Sequence, residues 1–276
     1  MAMLWHEGRR FEGDSFTLPF NDRGLLLGDG LFETMLVHDA NIWRKAEHLQ
    51  RLKDSALALN MPLDDRPEQA LADLARVAGV GCWALRLTVT RGPGERGLRM
   101  PAAPRPEVFA SMVPWRLDAG GPLRLVVSDI RRNQTSPQSR HKTLGYLDNI
   151  LALEAALKQG SDDALLLNSQ GRLACTSAGN IFALANDALL TPPLSDGVLS
   201  GITRRAIMET APALGLAVRE QSLVIAALHK ARSVFVVNSL RLVQPVLSLD
   251  GQMLRQNDLA AKLNDRLLAE IQSSPR

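Results

Sequence analysis

Lys142 is the residue whose type and setting most favour covalent chemistry. Lysine and arginine together number 32, and only six of these residues are lysines, so each lysine stands out. Lys142 follows Arg140 and His141 and comes just before an apolar stretch that predicts a helix. Neighbouring positive charge lowers the pKa of an amine, and a neutral amine attacks carbonyl groups. The sequence leaves two interpretations open: a nucleophilic amine, or a solvated lysine at the start of a helix.

Another pattern is typical of an anion site. Gly201-Ile202-Thr203-Arg204 lies where a loop rich in proline and glycine enters an apolar helix. The first N–H groups of a helix have no partner within the helix, so together with the Thr203 hydroxyl they could hold a phosphate. The alternative is a plain helix start. Two glycine-rich segments, 24–30 and 91–97, either border a pocket or are surface turns.

The composition indicates a globular chain of two domains. The 276 residues are 46% apolar and 22% charged, which excludes a disordered protein. A net charge of +3, spread along the chain, does not indicate a nucleic-acid surface. The two cysteines lie far apart, so we expect neither a disulfide scaffold nor a metal site. The absence of a secretory pattern or a long apolar run predicts a cytoplasmic protein without membrane contact.

Hydrophobic periodicity predicts a mixed order of helices and strands. The predicted helices cover about 44–60, 67–78, 146–159, 202–214 and 254–271. The predicted strands cover about 31–37, 42–43, 83–89, 108–115, 123–128, 164–167, 172–175, 181–185 and 233–237. Glycines and a proline mark a linker at 118–122, between an N-terminal domain, 1–117, and a C-terminal domain, 123–276. This order favours two α+β halves over one doubly wound parallel sheet.

A series of motifs runs in order over nearly the whole chain. They are RGLLLGDGLFET at 23–34, HLQRL at 48–52, HKTLGYLDN at 141–149, DDALLL at 162–167, GNIF at 179–182, LTP at 190–192, GITR at 201–204 and QPV at 244–246. Together they resemble the fold type IV pyridoxal-phosphate enzymes. That family contains branched-chain aminotransferases, D-amino-acid aminotransferases and 4-amino-4-deoxychorismate lyases. The resemblance implies an N-terminal α/β domain, a larger C-terminal α/β domain that binds pyridoxal 5'-phosphate at the domain interface, and a homodimer.

The same resemblance assigns roles to individual residues. It implies that Lys142 carries the cofactor covalently and moves the proton at the α-carbon of an amino-acid-like substrate. The expected cofactor contacts are Arg51, Ile202, Thr203 and Ser239 at the phosphate, with Cys175 and Asn180 in the ring-binding motif. The expected substrate contacts are Phe32, Thr34 and Arg96, the last of these contributed by the partner subunit of the dimer.

Cys175 departs from the family pattern. Five positions before the motif asparagine, here Asn180, family members generally have a glutamate that pairs with the pyridine nitrogen of the cofactor. Four interpretations follow: a thiolate substitutes, a nearby acid such as Glu154 substitutes, the reaction needs less electron withdrawal, or the activity has faded. A buried, inert cysteine is the simplest structural alternative.

The resemblance leaves the reaction open between a lyase and an aminotransferase. The loop Arg91-Gly92-Pro93-Gly94-Glu95-Arg96-Gly97 is similar to that of the aminodeoxychorismate lyases, which favours formation of 4-aminobenzoate and pyruvate. Leu98 stands where D-amino-acid aminotransferases have a histidine, which disfavours that class. A branched-chain or D-amino-acid aminotransferase is the alternative, and a cofactor-binding protein with impaired catalysis, owing to Cys175, is a further one.

Overall fold

The computed structural model describes residues 2–117 and 120–273, which form two compact units. The first unit contains residues 2–117, 142–145 and 271–273, and the second contains residues 120–141 and 146–270. The predicted linker, 118–122, includes residues 118 and 119, which lie outside the described residues. Residues 142–145, which the sequence assigned to the C-terminal domain, group with the first unit because their backbone bonds to a strand of that unit.

The first unit is an antiparallel sheet with two helices packed on it. Its elements are β1 (Ala2–His6), β2 (Arg9–Gly13), α1 (Arg23–Leu27), β3 (Gly30–His38), β4 (Asn41–Ile42), α2 (Lys45–Ala58), α3 (Arg66–Ala78), β5 (Cys82–Thr90) and β6 (Glu107–Pro114). The strand order is β2-β1-β6-β5-β3-β4. The core between sheet and helices contains Met35, Leu52, Leu74 and Leu85. This arrangement places α2 beside β3, the strand that holds the site.

The short helix α1 is defined by its caps. The Asp22 side chain accepts a hydrogen bond from the Leu25 N–H at the start of the helix. Gly28 ends it with φ 67°, a left-handed conformation that favours glycine. The glycine-rich segment 24–30 is therefore an ordered turn of helix before β3.

The second unit is built around a mixed sheet. Its elements are β7 (Leu123–Val127), α4 (Pro137–Arg140), α5 (Leu147–Lys158), β8 (Asp163–Leu167), β9 (Leu173–Thr176), β10 (Asn180–Ala185), β11 (Ala188–Thr191), α6 (Ile202–Thr210), β12 (Ala217–Glu220), α7 (Ile225–Lys230), β13 (Ser233–Asn238), β14 (Leu242–Leu249), β15 (Gln252–Met253) and α8 (Leu259–Ser273), whose residues 271–273 group with the first unit. The strand order is β12-β11-β10-β13-β14-β7-β8-β9, with β15 paired to β14. Most pairs are antiparallel, and β11/β12, β14/β7 and β7/β8 are parallel.

The structure confirms the mixed α+β class and corrects several element boundaries. The helix predicted to reach 214 ends at Thr210 and continues as a 3-10 turn over Ala211–Leu214, where Pro212 lacks the N–H an α-helix would use. The helix predicted from 254 begins at Leu259, because the Asn257 side chain accepts from the Leu259 N–H. The hairpin β1/β2 and the strand β14 were not predicted.

Candidate active site

Lys142 is held against the first strand of the site by backbone hydrogen bonds. The Phe32 N–H donates to the Lys142 carbonyl at 2.9 Å, and the Leu144 N–H donates to the Gly30 carbonyl at 3.0 Å. Residues 142–144 thus run beside the start of β3 as a short extra strand, with Thr143 paired to Leu31. The lysine backbone is fixed by the sheet, although the residue lies far from β3 in sequence.

The Phe32 ring is flanked by two cations. The Lys142 Nζ atom lies 4.1 Å from the ring centroid, and the Arg86 Cζ atom lies 3.7 Å from it. Arg86 comes from β5, where it is paired in register with Thr34 of β3. The Phe32 ring therefore brings an arginine close to the Lys142 amine. Arg86 is the residue that sequence reasoning missed, since it was counted only as a polar position of an alternating strand.

A buried charge network lies on the other side of β3. Glu33 accepts from Arg51 Nε at 2.8 Å and from Arg51 Nη2 at 2.6 Å, and its Oε2 atom also accepts from His48 Nδ1 at 2.6 Å. The Glu33 and His48 side chains are almost completely buried. The guanidinium of Arg51, the predicted phosphate contact, is thereby fixed in orientation by a bidentate ion pair. Its role at a phosphate stays a prediction.

The network determines the charges of its members. Burial raises the pKa of Glu33, but the charge of Arg51 and the hydrogen bonds from His48 and Arg51 outweigh it and lower the pKa to about 2. The pKa of His48 is lowered, mainly by burial and also by the charges of Arg51 and Lys142, against the opposing effect of Glu33. The His48 Nε2 atom is buried without a hydrogen-bond partner. We infer a neutral histidine between an ionised glutamate and the cations.

The start of α6 is the segment of the second unit where the sequence predicts an anion site. Gly201 caps this helix without a side-chain bond, and Thr203 lies buried in its first turn. The Thr203 hydroxyl is 3.5 Å from the Ser239 hydroxyl. The Asn180 amide donates to the Leu199 carbonyl at 3.0 Å and so holds the preceding loop. A side chain at position 201 would overlap Asn180 Oδ1, which explains the glycine.

Cys175 is buried among apolar side chains of the second unit. Ala152, Ala156, Ala164 and Leu166 belong to the same cluster. Burial raises the pKa of the thiol, Arg132 opposes this, and Asp163 adds to it. The thiol is therefore neutral near pH 7, which argues against a substituting thiolate. Glu154 is exposed on α5, whereas Asp163 is the acid whose charge acts on Cys175.

The structure brings together some predicted residues in each unit. Phe32 and Lys142 are in contact in the first unit, and Thr203 and Ser239 are neighbours in the second. Ile202 is buried at the start of α6. Arg96 is exposed in the loop between β5 and β6.

The family follows from comparison with known proteins. Residues 30–249 match the family model of class IV amino-transferases. The chain belongs to the class IV aminotransferases. A Methanocaldococcus jannaschii protein, provisionally named a branched-chain-amino-acid aminotransferase, is 31% identical over 89% of this chain and 88% of its own. The family identifies an enzyme that uses pyridoxal phosphate as a lyase or aminotransferase.

Two solved structures are similar to this class IV enzyme. A hypothetical aminotransferase from Mycobacterium tuberculosis, solved in a pyridoxal-phosphate-bound form, has a TM-score of 0.87 and 25% identity, and covers 98% of each chain. A Legionella pneumophila protein, provisionally named a 4-amino-4-deoxychorismate lyase, has a TM-score of 0.83 and 29% identity, over 93% of this chain and 96% of its own. The described residues contain no helix long and apolar enough to cross a membrane.

Proposed function

We propose that this enzyme carries pyridoxal 5'-phosphate on Lys142 and converts 4-amino-4-deoxychorismate to 4-aminobenzoate and pyruvate. The main support is the pair of cations, Arg86 and Lys142, on the Phe32 ring. The substrate carries two carboxylates, and an arginine beside the reacting amine suits one of them better than it suits an apolar side chain. The loop that carries Arg96 supplies the other arginine of the proposal.

The donor groups fit a phosphate-bearing aldehyde. Lys142 supplies an amine, which is the group that condenses with an aldehyde. The start of α6, where the Gly201 cap provides no side-chain bond, lies next to the Thr203 and Ser239 hydroxyls, a combination that favours a phosphate. Arg51 is partly buried, oriented and cationic, as a phosphate contact requires. Each of these features is a property of this chain, independent of its relatives.

Lys142 has the central role in the proposed reaction. When bound, pyridoxal phosphate withdraws electrons from the carbon that bears the substrate amine. The Lys142 amine, once it has lost its own proton, would remove the proton from that carbon as a general base. The enolpyruvyl group departs, its carbon takes up a proton, and pyruvate and the aromatic amine account for every atom of the substrate. Arg86 would hold a carboxylate in place during the proton transfer.

An aminotransferase is the second candidate. It is favoured by the 31% identity to the Methanocaldococcus jannaschii protein over 89% of the chain. In that reaction Lys142 would move the proton from the α-carbon of the substrate to the cofactor carbon bonded to the substrate nitrogen, and no pyruvate would be released. A third candidate, weak catalysis, is supported by the neutral Cys175 thiol, since a neutral group stabilises a protonated ring nitrogen poorly.

The absorption spectrum of the cofactor-loaded protein separates these candidates. We expect a band above 400 nm (about 420 nm) that is present in the wild type and in the control Lys158→Ala, and absent in Lys142→Ala. Lys158 is an exposed lysine at the end of α5. A panel of L- and D-amino acids should leave the band unchanged, while aminodeoxychorismate should yield pyruvate and 4-aminobenzoate in equal amounts. Conversion of the band by an amino acid would establish the aminotransferase instead, and a band independent of Lys142 would contradict the proposal.

We also propose that the enzyme is a cytoplasmic homodimer. Phe20 and the three consecutive leucines of α1, Leu25, Leu26 and Leu27, are between 47% and 88% exposed. Exposed apolar side chains in such a group are typical of a protein interface, and a second copy is the partner that the family resemblance implies. Light scattering after gel filtration should give twice the 30.1 kDa chain mass. Leu26→Lys should shift the mass toward a single chain, and a wild-type monomer would contradict the proposal.

A further inference from the structure

The loop that carries Arg96 has few attachments of its own. It joins β5 to β6, and its first part is bonded to the segment before α1: the Gly94 N–H donates to the Asn21 carbonyl, and the Asn21 amide donates back to the Gly94 carbonyl. Beyond Gly94, over 95–104, no backbone–backbone hydrogen bond is made to any other described residue. Arg96 lies in this second part. The conformation of its backbone must therefore be maintained by side chains.

One buried arginine makes the attachment that is otherwise missing. Arg23 Nη1 donates to the carbonyls of Gly97 and Arg99, both at 3.2 Å, and Nη2 lies 3.4 Å from the Leu98 carbonyl. Within the described part of the chain, these are the hydrogen bonds that reach 97–99. Three consecutive carbonyls around one guanidinium restrict the loop immediately after Arg96.

The arginine is itself held from the other side. Its Nε atom donates to Asp29 at 2.8 Å, and Asp29 also accepts from Arg91 Nε at 2.8 Å. Burial alone raises the pKa of Asp29, but the bonds from Arg91 and Arg23 hold it below the usual value, so Asp29 is ionised. Arg91 in turn donates to the Leu59 and Asn60 carbonyls at the end of α2. The Arg23 side chain is thus fixed by the bond from its Nε atom to Asp29, and its Nη1 and Nη2 atoms bind the loop.

We propose that Arg23 is a positioning residue that orders 97–99 and so aims the Arg96 side chain at a substrate carboxylate. This inference rests on the proposed function for the role of Arg96, but not for the order of the loop. A lysine cannot replace Arg23, because a single ammonium does not reach three carbonyls and a carboxylate in fixed geometry. Gly94 belongs to the same device. A Cβ atom there would lie 2.8 Å from Arg23 Cδ, and the backbone of Gly94 does not require glycine.

The experiment compares Arg23→Gln, Arg23→Lys and Gly94→Ala with Arg66→Gln in the full-length protein. Arg66 is a matched control, since it makes three side-chain bonds in the same unit, to Asp64, Glu7 and the Pro106 carbonyl, and none to 94–99. Gly94→Ala keeps every charge and displaces only the Arg23 stem, so the test survives if Arg23→Gln fails to fold. The first measurement, the rate of tryptic cleavage after Arg96 and Arg99 in the folded protein, needs no substrate.

We expect tryptic cleavage after Arg96 and Arg99 to rise at least about tenfold in the three variants and to stay at the wild-type rate in Arg66→Gln. The proposal would be overturned if Gly94→Ala and at least one of the two Arg23 variants were cleaved at the wild-type rate. This outcome does not depend on which substrate the enzyme uses.

The second measurement uses the substrate found active in the spectroscopic assay. Arg96→Ala and Arg23→Gln should each raise KM roughly ten- to a hundredfold, as expected for loss of a charge-assisted carboxylate contact, with a smaller change in kcat. The double variant should be no worse than Arg96→Ala, because both changes remove one interaction. If the increases in KM of the two single variants multiplied in the double variant, or if Arg23→Gln lowered kcat at unchanged KM, Arg23 would act only on stability. Either result would overturn its positioning role.

Discussion

Removing the charge of Glu33 tests whether the network below β3 is an ion pair that the fold depends on. Glu33→Gln keeps the size of the side chain and one carbonyl acceptor, and removes the negative charge between Arg51 and His48. The Arg51 guanidinium and the His48 N–H then no longer have an anion as their partner inside the fold. Such a loss is expensive, because a buried charge without a partner cannot regain its solvation.

The structure gives the magnitude and the pH dependence of the effect. Lowering the pKa of Glu33 from 4.5 to about 2 corresponds to roughly 3 kcal/mol of stability at pH 7. Breaking a buried pair by removing one partner costs about 3–5 kcal/mol, in agreement. Because the folded-state pKa is the lower one, the contribution is complete above 4.5 and is lost as the pH falls toward 2. At pH 3, between these two pKa values, about 1 kcal/mol of it should remain.

The assay is urea unfolding of the cofactor-free wild type, Glu33→Gln and Glu12→Gln at pH 7 and pH 3. Glu12 is exposed on β2, so its substitution should change the unfolding free energy by less than about 0.5 kcal/mol. The difference between wild type and Glu33→Gln should shrink by about 2 kcal/mol at the lower pH. A deficit that is the same at both pH values, or no deficit at pH 7, would refute the ion-pair reasoning.

Three further predictions concern other parts of the site. The lowered pKa of His48 means that the unfolded chain takes up this proton first, so stability should fall as the pH drops below about 6.5, and His48→Gln should lack that slope in the same urea assay. Gly201→Ala should displace Asn180 from the Leu199 carbonyl, lower stability by about 1–3 kcal/mol and weaken retention of the cofactor in dialysis; unchanged retention would contradict the anion site. Cys175→Glu should destabilise the cofactor-free chain by several kcal/mol, whereas Cys175→Ser should cost about 1 kcal/mol; equal melting of the two would show that the cluster tolerates charge.

Local pattern was sufficient for most elements because their signals lie within a single window. The alternation along β5 and the spacing of Leu49, Leu52 and Ala56 on α2 each follow from one buried face, and both elements form close to the predicted bounds. The hairpin β1/β2 was missed because its second strand, Arg9–Gly13, consists largely of charged residues that carry little periodicity. Boundaries set by one side chain, as at Asn257, also escape a periodicity argument.

The chemistry of the site depends on pairs that are distant in sequence. Glu33 lies within a run of apolar residues in β3, and nothing near it indicates that Arg51 neutralises its charge and that His48 hydrogen-bonds to it. Arg23 was grouped with a glycine-rich turn, although its bonds are made to residues more than 70 positions away. Such contacts are properties of the folded sheet. The resemblance supplied roles for Lys142 and Arg51, but not the partners that hold them.

The alternation of β3 explains how one strand contacts Lys142 on one face and the Glu33 charge network on the other. Successive side chains of a strand point to opposite faces, so Phe32 and Thr34 share one face while Glu33 lies on the other. Phe32 meets the amine of Lys142, and Glu33 meets the arginine and histidine of α2. A shift of one residue in the register of β3 would exchange these faces and bury Phe32 against the charges of α2. The backbone of Lys142 is bonded to that of Phe32, and the Arg51 side chain is bonded to Glu33. The register of β3 therefore determines the positions of both the Lys142 amine and the Arg51 guanidinium.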